Sequence, residues 1–412
     1  MMYYRLLIIL LSPVIIAHIL WLAFTNKQSR YFFQRTGYKF PDLPHNCLWF
    51  HCASVGEVNT LLPLIHNIHK QDKNLKFIIT TNTITGGEIV TQQKLDYVFH
   101  CYMPVDWMYS VEKFLTKIKP ASIYIMETEI WPNLFTACKK NGTSIYIINA
   151  RLSRKTTSAK SWVKQIYKSS LLKVSKIYSR TKKDAESYKL LGANKSTVTT
   201  IGNLKFTTAL TNEQAKLEPV VNIDRKYVLV ASTHKDEEEQ IYNIWKKLKR
   251  TELLIIAPRH PERSASIINK LNSDAIAIRS KNQKITDETE IFILDTIGEL
   301  KTYFKRAELV IMGGSFIPVG GHNILEPASF NSAIITGPYM ENFTEELELM
   351  ISKKAIIQIT SKLQVYSRLR EEIEKVLDDD GYRETLKHNT TTLSHNVEKI
   401  LNNYTDIILR NN

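Results

Sequence analysis

Short runs rich in β-branched and aromatic residues recur along the chain, each followed by a longer stretch with helical spacing. From Cys47 they read CLWFHCA, KFIITTNT, YVFHCYM, SIYIMET, SIYIINA and KIYSRT, ending at Thr181. This alternation predicts βαβ units and a parallel sheet covered by helices on both faces. A second series begins at YVLVAST (Tyr227–Thr233) and continues through LLIIAPR, AIAIRS, IFILDT, LVIMGG, AIITG and AIIQIT. Between them lies the polar stretch TTALTNEQAKLEPVVNIDRK, residues 207–226, which has the character of a linker. The predicted fold class is therefore α/β, with two doubly wound, Rossmann-like domains in tandem facing a cleft at the carboxyl ends of their strands.

Ahead of the first series the pattern is different. Leu6–Phe24, LLIILLSPVIIAHILWLAF, is nineteen residues without a charge, close to the roughly 20 a helix needs to cross a bilayer core. The run is longer than the apolar part of a usual signal peptide and has no small-residue cleavage site, so it predicts an uncleaved anchor helix. Lys27, Arg30 and Arg35 follow it, while Arg5 precedes it. The positive-inside rule then leaves the body of a single-pass protein on the cytoplasmic side. The expected organisation is an anchor over 1–26, a first domain over 27–206, the linker, and a second domain over 227–412.

Composition narrows the partners. A chain of 412 residues exceeds what one core usually supports. Its formal net charge of +14 favours anionic partners such as acidic lipid, phosphorylated substrate or nucleic acid. Residues 151–183 hold eleven Lys or Arg and no Asp or Glu, with Trp162, Val163, Ile166, Tyr167 and Leu171 interleaved. That stretch reads either as a solvated basic face over a core helix or as a membrane-surface contact. The four cysteines, Cys47, Cys52, Cys101 and Cys138, have no metal spacing and read as buried free thiols of a reducing compartment.

Candidate chemistry clusters where strands end. HCASVGEV closes the first strand, and Ser54 with Glu57 makes a Ser-x-x-Glu capping box. The same carboxylate, outside a strand's carboxyl end, is placed to accept a proton from a hydroxyl; a Glu committed to capping is expected to have a lowered pKa. METEIWPNL puts Glu127 and Glu129 at another strand end; one could cap the next helix and the other stabilise positive charge on a sugar ring. Lys205, in TIGNLKF, is either a solvated surface charge or a contact for phosphate or carboxylate. In the second series, ASTHKDEEE offers Ser232, Thr233 and His234 at a helix entrance, and APRHPER offers Arg259, His260 and Arg263. DTIGEL supplies Ile297, Gly298 and Glu299. MGGSFIPVGGHNILEPA supplies glycines that let backbone approach a ligand, a helix predicted to begin near His322, and Glu326 one turn further in. His322 and Glu326 alone make a weak metal signal, and neither a Walker A sequence nor a well-placed G-x-G-x-x-G is present.

Taken together and in order, FHCASVGEV, METEIWPNL, INARLS, IGNLKF, ASTHKDEEE, APRHPER, DTIGEL and GGSFIPVGGHNILEPA resemble the 3-deoxy-D-manno-octulosonic acid (Kdo) transferases, glycosyltransferase family 30. The resemblance runs from Phe50 to Ala328. It implies a GT-B fold and an inverting transfer of Kdo from CMP-Kdo to a glucosamine hydroxyl of a lipid A precursor such as lipid IVA, in lipopolysaccharide core synthesis at the inner membrane. The first domain would take the lipid and the second CMP-Kdo. Carried over by position, Glu57 is the general base, and Glu127 and Lys205 stabilise the transition state. Pro258, Arg259, Ile297, Gly298, Glu299, Asn323, Ile324, Leu325 and Glu326 bind CMP. Ile297 stands where Met is expected, and Lys235 with Asp236 replaces an acidic-glycine pair. No cofactor, metal or nucleic acid is implied. Two other readings share parts of this pattern: a sugar-nucleotide epimerase, which needs no anchor, and a membrane-tethered receptor for an anionic ligand, which needs no Glu57.

Overall fold

The structure, a computed structural model, describes residues 2–152, 156, 158–207 and 221–411. Most of the predicted linker 207–226, and positions 153–155 and 157 of the basic stretch, lie outside the described residues. The chain divides into two compact units, Met1–Thr208 with Lys399–Asn412, and Ala209–Glu398. The last residues therefore group with the first unit, not with the second domain to which their sequence position assigns them. A single helix, Asp380–Arg410, carries them, and its Tyr404 is fully buried in a core of the first unit.

In the first unit the strands are β1 (Leu48–Cys52), β2 (Phe77–Thr81), β3 (Val98–Tyr102), β4 (Ser122–Met126), β5 (Ser144–Ala150), β6 (Lys176–Ser179) and β7 (Val198–Thr200). They form one parallel sheet in the order β3-β2-β1-β4-β5-β6-β7. All five residues of β1, β2 and β4 are buried, as expected of parallel strands covered on both faces. Alternation along β1 sends Trp49 to one core, with Phe114 and Ile123, and Phe50 to the other, with Tyr124 and Ile79.

The second unit repeats the plan with β8 (Tyr227–Thr233), β9 (Leu253–Pro258), β10 (Ile276–Ile278), β11 (Ile291–Ile293), β12 (Leu309–Met312), β13 (Ile334–Thr336) and β14 (Ile357–Gln358). Its order is β10-β11-β9-β8-β12-β13-β14, again all parallel. In each sheet the chain reverses its direction of winding beside the first strand, between β1 and β4 and between β8 and β12. Ligands of open α/β sheets bind outside the carboxyl ends of strands at such points.

The apolar N-terminal run departs from the expected single anchor helix. Helices Met2–Leu10 and Ser12–Thr25 meet at a 50° bend, where Pro13 sits in the first turn of the second helix. Proline lacks the amide needed to continue the hydrogen-bond ladder and favours a helix start. Among the described residues no single helix is long and apolar enough to cross a membrane; this bent pair meets the length and composition criteria together. One side of it is fastened to the first unit, where Ile19 and Ala23 pack with Tyr31, Ile84, Tyr102 and Val105. Tyr4 Oη donates to Asp106 Oδ2 at 2.9 Å and Arg5 Nε to Asn133 Oδ1 at 3.0 Å. The other side exposes Ile9, Leu10, Val14, Trp21 and Phe24.

Candidate active site

The first unit gathers three carboxylates at its switch point. After β1, Ser54 caps the helix Val55–Gln71 and its Oγ accepts from Glu57 N at 3.4 Å. Glu57 Oε2 accepts in return from Ala53 N at 2.8 Å, and Ser54 Oγ donates to Glu57 Oε1 at 3.3 Å. The Ser54 half of the capping box is made, while Glu57 reaches one residue past the N-cap amide, to Ala53 N. The expected lowered pKa is nonetheless reversed: burial first, then the charges of Glu127 and Glu129, push Glu57 up to about 7, although the Ala53 and Ser54 bonds pull the other way. A carboxyl poised near neutral pH suits a general base.

Glu127 follows β4 in a left-handed backbone conformation, φ 55°, an uncommon state for a residue with a side chain and one associated with functional sites. Its Oε2 pairs with Arg151 Nε at 2.7 Å. Its carbonyl, together with that of Arg151, accepts from the buried Tyr188 Oη. Glu129 Oε2 accepts from Asn82 Nδ2 at 3.3 Å, and burial raises its pKa. His51 Nε2 lies 4.0 Å from the same carboxylate; burial, and then Arg35, hold His51 down to about 3, so the contact is no ion pair. Lys205 sits exposed on the short turn Leu204–Phe206, which packs against the helix carrying Glu57. Asn149 fixes that turn, its Oδ1 accepting from Leu204 N at 2.9 Å.

In the second unit the switch point holds the ends of β8 and β12. Here a carboxylate unremarked in the sequence is central. Buried Glu237 accepts from His234 N at 2.8 Å, Gly314 N at 2.7 Å and Phe316 N at 3.1 Å, binding the loop after β8 to the glycine loop after β12. A Cβ on Gly313 would lie 2.6 Å from Thr233 Cα, so only glycine permits this approach. Glu238, also buried, takes a bidentate pair from Arg263 and a bond from Thr233 Oγ1. His234 and His322 share a hydrogen bond, Nε2 to Nε2, at 2.9 Å. Burial, and then His234, Arg259 and His260, push His322 down to about 4.

The predicted CMP residues fall on the loops beyond β9, β11 and β12. Pro258 ends β9 and Arg259 follows it, its N donating to Thr233 O. Ile297 is 89% exposed and Gly298 has φ 89°. Glu299 is held by Arg279 through Nε at 2.8 Å and Nη2 at 3.1 Å. The helix expected near His322 begins instead at Leu325 and spans only Leu325–Ser329. Ile324 and Leu325 bury their side chains. Glu326 pairs with Lys301 at 3.0 Å. Among the described residues no group of three or more His, Cys, Asp or Glu could hold a metal ion. All four cysteines are buried and free.

Two parallel seven-stranded α/β sheets give a GT-B-like fold. The Neisseria meningitidis UDP-GlcNAc 2-epimerase bound to UDP-GlcNAc shares the fold, with TM-score 0.54 and 11% identity over 88% of this chain and 98% of that one. A glycosyltransferase from Rickettsia africae does so with TM-score 0.52 and 13% identity, over 90% of this chain and 99% of that one. Residues 29–208 match the family described as 3-deoxy-D-manno-octulosonic-acid transferase (kdotransferase). The 3-deoxy-D-manno-octulosonic acid transferase of Rickettsia prowazekii is 34% identical over 377 residues, 88% of this chain and 80% of the relative. This chain belongs to the 3-deoxy-D-manno-octulosonic acid transferase family.

Proposed function

We propose that this protein transfers Kdo from CMP-Kdo to a hydroxyl of a lipid A precursor, with inversion at the anomeric carbon. The observation that carries the mechanism is Glu57, pushed up to about 7 beside Glu127 and Glu129. In its ionised form it takes the proton from the acceptor hydroxyl as that oxygen bonds the anomeric carbon and the bond to phosphate breaks. CMP leaves with the electron pair. Glu127, held by Arg151, and Lys205 stabilise the charge that develops on the sugar and its carboxylate. Arg259 stands against the departing phosphate. Pro258, Ile297, Gly298, Glu299 and Asn323 to Glu326 form the rest of the CMP site, with Ile324 and Leu325 acting through backbone. Because Arg259 and backbone amides can stabilise a leaving monophosphate, the chemistry needs no metal.

The N-terminal helix pair, with its exposed apolar side, holds the enzyme at the cytoplasmic face of the inner membrane, where such an acceptor resides. Residues 151–183 add cationic attraction to an acidic leaflet. The test is CMP release by the purified protein with CMP-Kdo and a tetra-acylated lipid A precursor. Native protein is expected to release CMP and yield a Kdo-bearing lipid, and Glu57→Gln to lose at least about a hundredfold in kcat. Full activity of Glu57→Gln refutes the assignment of the base. Turnover of the nucleotide sugar without lipid points to an epimerase, and no turnover at all to a receptor.

A further inference from the structure

A cavity of about 720 Å³ lies within the first unit, under the bent N-terminal helix pair. Its size falls within the roughly 300–1,000 Å³ of small-molecule sites. Ile8, Ile15, Ile19, Leu22, Ile84 and Val105 give it an apolar wall. Polar side chains line it as well, among them His18, Asn26, Arg35, Asn82 and Thr83. Arg35 Nη1 donates to Asn82 Oδ1 at 3.0 Å and to Met103 O at 2.5 Å, whereas its buried Nε has no hydrogen-bond partner. Asn82 in turn donates to Glu129, whose charge bears on Glu57. The cavity thus joins a helix pair with an exposed apolar side to a buried guanidinium with a spare donor, which reaches the candidate base only through Asn82 and Glu129.

We infer that this cavity holds one acyl chain of the acceptor lipid, with an oxygen at the head of that chain accepting from Arg35 Nε. The inference rests on the lipid-acceptor reading above and adds where the lipid is gripped. Three features select the occupant. Most of the wall is aliphatic, which suits hydrocarbon. Two buried donors of the lining without a hydrogen-bond partner, Arg35 Nε and Trp131 Nε1, suit an oxygen-bearing head. Val14 both lines the cavity and is 67% exposed, so the cavity opens on the side of the helix pair that Trp21 and Phe24 present outward. A chain drawn from the bilayer enters there without its apolar surface crossing water. The Pro13 bend gives the pair a second role as one wall of a site, where a straight helix serves only as a tether.

The experiment compares two acceptors, the acylated lipid A precursor in mixed micelles and its fully deacylated, water-soluble counterpart. Ile15→Trp from the helix pair and Thr85→Trp from the opposite wall each place an indole in the cavity. The readout is the ratio of kcat/KM for the acylated to the deacylated acceptor. Displacing even two methylenes from the wall predicts a fall in this ratio of about tenfold or more. A ratio within about twofold of native for both variants overturns the inference. Photo-crosslinking the native protein with an acceptor carrying a diazirine in one acyl chain is expected to label Ile15, Ile19 or Ile84. Labelling by a diazirine phospholipid alone also overturns the inference, because the cavity then holds bulk lipid. Failure of native protein to glycosylate either acceptor overturns the transferase reading instead.

Discussion

Replacing Glu57 with Gln should make the protein more stable at alkaline pH while it removes activity. In the native fold the carboxyl is raised from its ordinary 4.5 to about 7, chiefly by burial. Between those values the folded protein holds a proton that the unfolded chain has released. Native stability attributable to this group is therefore fully present below about pH 4.5 and lost as pH rises through 7. The rise from 4.5 to about 7 corresponds to about 3 kcal/mol, at about 1.4 kcal/mol per unit. Glutamine is isosteric, can still accept from Ala53 N, and never ionises. At pH 8 Glu57→Gln should exceed native stability by up to about 3 kcal/mol, roughly 5–10 °C in Tm for a unit of this size. At pH 4.5 the two should melt together. Differential scanning fluorimetry of both proteins across that range isolates the difference, because every other titrating group is common to the pair. Equal Tm values at pH 8, or a variant that gains its advantage only in acid, would refute the claim that Glu57 is held in a destabilised charged state.

The same group should shape catalysis: log kcat/KM is expected to rise with pH and level off near 7, and Glu127→Gln, which removes a neighbouring charge, should move that limb to lower pH. Glu237→Ala unbinds three amides of two loops and should raise KM for CMP-Kdo about tenfold or more, with a loss of at least about 3 kcal/mol in stability. Glu237→Gln should not rescue it, because one of its two acceptors becomes an NH2 group facing a backbone N–H; near-native KM in that variant would show the clamp to be idle. Tyr404 Oη, buried, receives Asn149 N at 3.3 Å and reaches Gly202 O at 3.2 Å, steadying the segment that carries Lys205. Tyr404→Phe should cost about 1–3 kcal/mol in thermal melts and lower kcat more than it raises KM for CMP-Kdo, whereas a purely structural role would leave kcat untouched.

The strands were legible because parallel strands buried on both faces read as unbroken apolar runs. LWFHC, FIITT and LLIIAP, short and rich in β-branched and aromatic residues, are buried along their whole length. The exception is β7: three residues, VTT, lie at the sheet edge with two of them exposed, and a strand so short and wet leaves no hydrophobic signature. Placement of Glu57 and Glu127 at strand ends was also legible, since a motif that closes an apolar run must fall at the carboxyl edge of the sheet. Glu237 escaped notice because an acidic residue in a run of four acids, Asp236 to Glu239, looks solvated. Only folding turns it inward, where three amides separated from it in sequence by up to 79 positions converge.

Local sequence thus determined the elements, their order and the type of each functional group, because hydrophobic periodicity and capping chemistry act over a few residues. Tertiary structure alone decided the state of those groups. The capping box by itself predicts an acidic Glu57; two carboxylates some 70 positions away, at Glu127 and Glu129, and the loss of surrounding water reverse the prediction. Likewise the N-terminal run is one apolar stretch in the sequence, but the packed chain breaks it at a 50° bend, with Tyr4 and Arg5 bonded to Asp106 and Asn133 and one side lining a cavity. Desolvation and long-range charge depend on what lies nearby in space, and that information does not exist until the chain has packed.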